Sequence, residues 1–100
     1  KDKRMEVIQL EWRNNSGGYI DIIAKENNRL IFFDVRTIYK QKYQNRNEII
    51  DSERINRLLS SINYYCIEKS LESNFRIDTI SVILEGNKHN VFHNKSININ

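Results

Sequence analysis

Hydrophobic and polar positions along the chain change period twice, and the changes divide it into elements. Residues 5–12 alternate loosely, as a half-buried strand does, and Asn14-Asn15-Ser16-Gly17-Gly18 then supplies a turn. Residues 19–25 and 30–38 are rich in Ile, Val and Phe and predict two more strands, joined by a tight turn over 26–29. Further on, the apolar positions move to helical spacing: Ile55, Leu58, Leu59, Ile62, Tyr65 and Cys66 follow the i, i+3, i+4, i+7 pattern. Asp51 or Ser52 can cap that helix, Glu53 lies in its first turn, and the pattern fades over 70–74. Residues 76–85 read as a strand, and Gly86-Asn87 turns the chain into a last short strand around 90–93. The order β-β-β-α-β-β predicts an α/β domain. The first three strands form an antiparallel meander, and the helical crossover lays the fourth parallel to one of them. The result is a mixed sheet with one long helix packed on a face.

The turn at Asn27-Asn28 carries the argument further. Asn tolerates the positive φ of a two-residue hairpin loop, and such a loop fixes the register so that paired residue numbers sum to 55. One face then pairs Ile20 with Val35, Ile22 with Phe33 and Ala24 with Ile31, a wholly apolar core face. The other pairs Tyr19 with Arg36, Asp21 with Asp34, Ile23 with Phe32 and Lys25 with Leu30. Two carboxylates directly across a ladder, with Cβ atoms about 4.5–5.5 Å apart, repel and need a compensating cation. Arg36, two residues from Asp34 on the same face, can supply part of it. A hard divalent ion held by both carboxylates and by water can supply more. From spacing alone the competing reading is an ordinary Asp-Arg-Asp surface cluster.

Composition narrows the class. With 100 residues, 39% hydrophobic and 29% charged, the chain suits a single globular domain over residues 1–100 and argues against disorder. It holds no apolar run of spanning length and no signal-peptide pattern at its start, and Cys66 is its only cysteine, so a cytoplasmic address is expected. It begins with Lys1 rather than Met, so it is read as a trimmed piece or one domain of a longer protein. Net charge is +3, and Arg36, Lys40, Lys42 and Arg46 follow one another without an intervening acid, interleaved with Tyr39 and Tyr43. Basic residues with aromatics in a loop can track a phosphate backbone, and can equally be a solvated loop.

Around the two aspartates the sequence resembles the PD-(D/E)xK nuclease superfamily and, within it, the YraN-like family. Its members carry Gly-Glu-Ile-Asp-Leu-Ile-Ala, then Phe-Val-Glu-Val-Lys-Thr-Arg, a helix opened by Lys and Arg, and an Arg-Phe-Asp-Val strand. This chain has Gly18-Tyr19-Ile20-Asp21-Ile22-Ile23-Ala24, Phe32-Phe33-Asp34-Val35-Arg36-Thr37, Arg54 and Arg57 ahead of Leu58, and Arg76-Ile77-Asp78-Thr79. The resemblance covers roughly residues 7 to 93 and rests on the order and spacing of these motifs together. It implies a restriction-endonuclease-like fold and Mg²⁺- or Mn²⁺-dependent hydrolysis of phosphodiesters in DNA or structured nucleic acid. Asp21 and Asp34 would be metal ligands together with the Val35 carbonyl. Arg36 would stand in the catalytic set, and Lys40, Lys42, Arg46, Arg54 and Arg57 would face nucleic acid. A homodimer stays open.

The departures point to a second reading. Arg36 replaces the family's Lys, and a guanidinium stays protonated at any working pH, so it cannot act as a general base. Tyr19 replaces a Glu, and the family's N-terminal helix has no counterpart. A degenerate nuclease-fold module that binds nucleic acid or a protein without cleaving would carry such changes. The remaining candidates are weaker. His89 and His93 lie four apart in a predicted hairpin and suit an edge role, Cys66 reads as a buried inert thiol, and Ser60-Ser61 lack partners for nucleophilic catalysis.

Overall fold

A computed structural model describes residues 5–39, 52–71 and 74–97. It contains β1 (Glu6–Arg13), β2 (Tyr19–Glu26), β3 (Arg29–Tyr39), α1 (Ser52–Lys69), β4 (Phe75–Glu85) and β5 (Lys88–Asn94). The strands form one sheet in the order β1-β2-β3-β4-β5. β3 and β4 are parallel, with Leu30 beside Phe75 and Tyr39 beside Leu84, and every other neighbouring pair is antiparallel. The expected mixed sheet is therefore present, with the crossover helix joining adjacent strands. Among the described residues no helix is long and apolar enough to cross a membrane. Lys40, Lys42, Arg46 and the capping candidate Asp51 lie outside the described residues.

The hairpin register is the one that the Asn27-Asn28 turn dictates. Both residues take left-handed backbone, at φ 52° and 65°, and the ladder pairs Glu26 with Arg29, Lys25 with Leu30, Ala24 with Ile31, Ile23 with Phe32 and Ile22 with Phe33. α1 ends in a Schellman-type cap. Ser70 sits at φ 57°, its N–H reaches the Ile67 carbonyl at 3.2 Å, and the Leu71 N–H reaches Cys66 at 2.9 Å.

The helix packs on the face that carries Ile23 and Phe32. Leu58, Ile62, Tyr65 and Cys66 bury there with Trp12, Ile20, Ile23, Phe32 and Ile77. Tyr65 presents edges to Trp12, at 5.2 Å between centroids, and to Phe32, at 5.7 Å. The opposite face buries Ala24, Ile31 and Phe33, with Ile22, Val35 and Ile80 beside them. Strict alternation places Ile20 in this second group, and the structure corrects that: Ile20 pairs with Trp12 across β1–β2 and joins the helix-side core. The partner Trp12 follows Glu11, which holds φ 51° in mid-strand, a backbone region that a Glu side chain rarely adopts. Cys66 is buried as expected, and burial pushes its thiol above the usual value, so it stays protonated.

Gly18 is a close-approach glycine. A Cβ there would meet Asn14 Oδ1 at 2.8 Å and ring carbons of Trp12 and Tyr64 at 3.1 Å. Asn14 Oδ1 is also fixed, because it accepts the Gly18 N–H at 2.7 Å. Gly18→Ala should destabilise the fold by about 1–3 kcal/mol, the range for overpacking. Urea unfolding checks this, and an unchanged midpoint would show that the turn gives way at no cost.

Candidate functional site

The site forms where the β2–β3 ladder stops. Regular pairing runs only to Ile22 and Phe33, so the directly opposed Asp21–Asp34 pair of the extended register does not form as a ladder pair. Asp21 instead turns its carboxylate onto the backbone: Oδ2 accepts the Val35 N–H at 3.0 Å. A side-chain oxygen thus replaces a ladder carbonyl, which relieves the opposed charges and keeps the two strands joined. The other oxygen, Oδ1, accepts the Tyr19 hydroxyl at 3.0 Å. Burial raises the Tyr19 phenol, and the hydrogen bond to Asp21 and the charges of Asp21 and Glu11 act the same way, outweighing Arg13. Tyr19 is therefore a neutral donor to Asp21. Its backbone N–H reaches Ser61 Oγ at 3.0 Å, which ties this end of β2 to the helix, and the Arg13 guanidinium lies 4.7 Å from its ring centre.

Asp34 is buried, and its cation comes from the helix. Arg54 grips it as a fork, with Nη2 2.7 Å from Oδ1 and Nε 3.3 Å from Oδ2, and the same Nη2 reaches the Val35 carbonyl at 3.4 Å. A cation in the first turn of a helix opposes the helix dipole, so this contact compensates an unfavourable position. Asp21, Asp34, Val35, Tyr19, Arg54 and Arg57 border one open cavity of about 260 Å³. Arg57 is exposed at its rim, with Glu53 at 3.9 Å. Arg36 follows Asp34 by two residues on β3 and lies beside Ser81 of β4 in the register.

Asp21, Asp34 and Val35 thus border a common space. Among the described residues there is no cluster of three or more His, Cys, Asp or Glu side chains suited to a metal ion. Any ion here would draw on the Val35 carbonyl and on water besides the two aspartates.

A profile of Uncharacterised protein family UPF0102 matches residues 1–82. The chain belongs to UPF0102. It is 33% identical over 93 residues to a UPF0102 protein of Clostridium botulinum (strain 657), an alignment covering 79% of this chain and 76% of that protein. It is 31% identical over 81 residues to a UPF0102 protein of Christiangramia forsetii, covering 81% and 67%. A UPF0102 protein of C. botulinum (strain Hall) is 38% identical over 69 residues, covering 67% of this chain and 56% of that protein.

In this UPF0102 chain the structure brings Asp21, Asp34, Val35, Arg54 and Arg57 to one cavity. Sequence reasoning gave Arg36 part of the neutralisation of the acidic pair and gave Arg54 to nucleic acid. In the structure the fork on Asp34 belongs to Arg54. The signal for it was a cation in the first turn of the crossover helix, where the helix dipole disfavours positive charge.

Sequence reasoning also missed a second polar cluster. Asp78 is fully buried. It accepts Arg76 Nε at 2.9 Å and Nη2 at 3.0 Å, the Ser96 N–H at 3.0 Å, and His93 Nε2 at 2.7 Å. Arg76 Nη1 continues to Glu26 at 3.2 Å. Burial works to raise the Asp78 carboxyl, but the bonds from Arg76, Ser96 and His93 and the Arg76 charge outweigh it and hold the group below the usual carboxylate range. The edge role expected for His93 is present, since β5 is an outer strand, and it has a buried partner that spacing alone did not reveal.

Proposed function

We propose that this UPF0102 chain is a metal-dependent nuclease-type domain of restriction-endonuclease-like fold, directed at phosphodiesters in DNA or structured nucleic acid. The observation that carries the reading is that the Asp34 carboxylate and the Val35 carbonyl share one positive group, the Arg54 guanidinium, while Asp21 borders the same cavity. An all-oxygen set that already accepts a cation fits Mg²⁺ or Mn²⁺, which favour few protein oxygens and retained water. Asp21, Asp34 and the Val35 carbonyl would hold the ion. Bound there, it would supply neutralisation of charge on phosphoryl oxygens.

The chain's own residues supply the rest. Tyr19 and the Val35 N–H fix the Asp21 carboxylate in orientation. Arg57, exposed at the rim, offers a guanidinium to a phosphate, and Lys40, Lys42 and Arg46 extend the basic character in sequence. Arg36 offers a guanidinium, whose contribution is charge and hydrogen-bond donation rather than proton abstraction. That property favours the second reading, a degenerate module that binds nucleic acid without cutting it.

Calorimetric titration of Mn²⁺, paired with cleavage of supercoiled plasmid and branched DNA, separates the two. Wild type should bind Mn²⁺ and nick DNA, and Asp21→Asn should weaken metal binding at least about tenfold, the scale of one lost charge-assisted contact. Binding of metal and DNA without cleavage selects the degenerate module. Equal Mn²⁺ affinity in wild type and Asp21→Asn would remove the acidic pair as a cation site.

A further inference from the structure

We propose that Arg54 is the built-in counter-cation of this site: it leaves Asp34 when a divalent ion enters and transfers to a substrate phosphate, so that ion and phosphodiester bind cooperatively. The inference rests on the metal reading above and adds a mechanism of control to it.

Three observations carry it. First, Arg54 engages the groups that the ion would need. Its fork covers both oxygens of Asp34, and Nη2 also lies 3.4 Å from the Val35 carbonyl. A guanidinium and a divalent ion on the same carboxylate would sit a few ångströms apart, where repulsion in a partly buried site exceeds thermal energy several-fold. Departure of the guanidinium relieves that repulsion. Second, Arg54 is the group able to move. Its side chain is 31% exposed, against 12% for Asp34, and it springs from the first helical turn, where the helix dipole disfavours a cation. Asp21, by contrast, is fixed by Tyr19 and the Val35 N–H, two neutral donors that need not leave when an ion arrives. Third, a destination adjoins it. Arg54 and Arg57 border the same open cavity, one helical turn apart on α1, so a guanidinium released from Asp34 faces the space that a phosphate would occupy. A planar fork that fits a carboxylate also fits a phosphate.

Linkage then requires reciprocity. If the ion frees Arg54 for phosphate, phosphate must raise the affinity for the ion by the same factor. Without phosphate, Arg54 competes with the ion and keeps its affinity low.

The test is calorimetric titration of Mg²⁺ into wild type, Arg54→Gln and Asp21→Asn, each alone and with a short phosphorothioate DNA duplex that resists hydrolysis. Arg54→Gln should bind Mg²⁺ about tenfold more tightly than wild type in the absence of DNA, within the usual range of coupling. The duplex should tighten Mg²⁺ binding to wild type by about tenfold more than to Arg54→Gln, where only direct attraction between ion and phosphate remains. A second measurement needs no variant beyond an assignment: the Arg54 Nε–H NMR signal of wild type should shift as Mg²⁺ is added. An unmoved Arg54 signal at Mg²⁺ saturation, or equal Mg²⁺ affinity in wild type and Arg54→Gln, overturns the exchange while leaving the metal site in place. Absence of Mg²⁺ binding in every protein overturns the metal reading and the exchange together.

Discussion

Asp78→Ala should cost about 3–5 kcal/mol, the range for removing one partner of a buried ion pair. The substitution takes the acceptor from both nitrogens of the Arg76 fork, from His93 Nε2 and from the Ser96 N–H. Arg76 keeps Glu26, but its charge stays largely buried. A domain of this size holds only about 5–15 kcal/mol in total. The midpoint of thermal unfolding should therefore fall by roughly 12 °C or more. The same residue sets an acid limit. The folded carboxyl is held below its unfolded value, so its contribution is complete above the unfolded pKa of about 3.9 and is lost as pH falls through the lower folded value. Wild type should lose stability below about pH 4, and Asp78→Ala should lose less of its own over that interval. A wild-type midpoint that stays flat down to pH 2 would show that the cluster does not stabilise the fold through this carboxylate.

Phe32→Ala should be as damaging, at about 3–5 kcal/mol, through lost burial and the cavity left behind. Phe32 is fully buried between the helix and the sheet, with Tyr65 at 5.7 Å and Phe75 at 5.5 Å, both edge to face. Such ring pairs add about 0.5–1.5 kcal/mol each beyond the area they bury. Phe32→Leu removes fewer atoms and should lose less. Because Phe32 lies two residues before Asp34 on the strand face under α1, the cavity also loosens the seat of the helix that delivers Arg54. Urea midpoints of the two variants measure the stability. A loss under about 1 kcal/mol in Phe32→Ala would mean that the helix and sheet close over the gap.

The hairpin, the helix and the parallel fourth strand were legible because each depends on local rules: a two-residue Asn-Asn turn, apolar spacing over Ile55 to Cys66, and a helical crossover that lets the next strand run parallel. The bonds of the site were not. Asp21 bonds the Val35 N–H only because the ladder ends at Ile22 and Phe33, and nothing in the residue pattern marks that end. The Arg54 fork depends on where the helix lands after a connection whose path the sequence does not specify. Ile20 moved to the helix-side core across from Trp12, next to Glu11, a residue with no preference for left-handed backbone, so period-2 counting fails there. The Asp78 cluster joins residues from β2, β4, β5 and the segment after it, which no single spacing contains.

The site also has an order of assembly. The Asp21–Val35 bond spans 14 residues of one hairpin, whereas the Arg54–Asp34 fork spans 20 across the crossover and the Arg76–Glu26 bridge spans 50. Hairpins close in about 1–10 μs, and long-range parallel pairing is slower because more chain entropy is lost before contacts form. The chain contains no proline, so prolyl isomerisation cannot delay it. The hairpin that carries both aspartates can therefore form before its arginine arrives. For that interval the fold holds two neighbouring negative charges without the helix's cation, and docking of the helix is at once the step that completes the core and the step that neutralises the site.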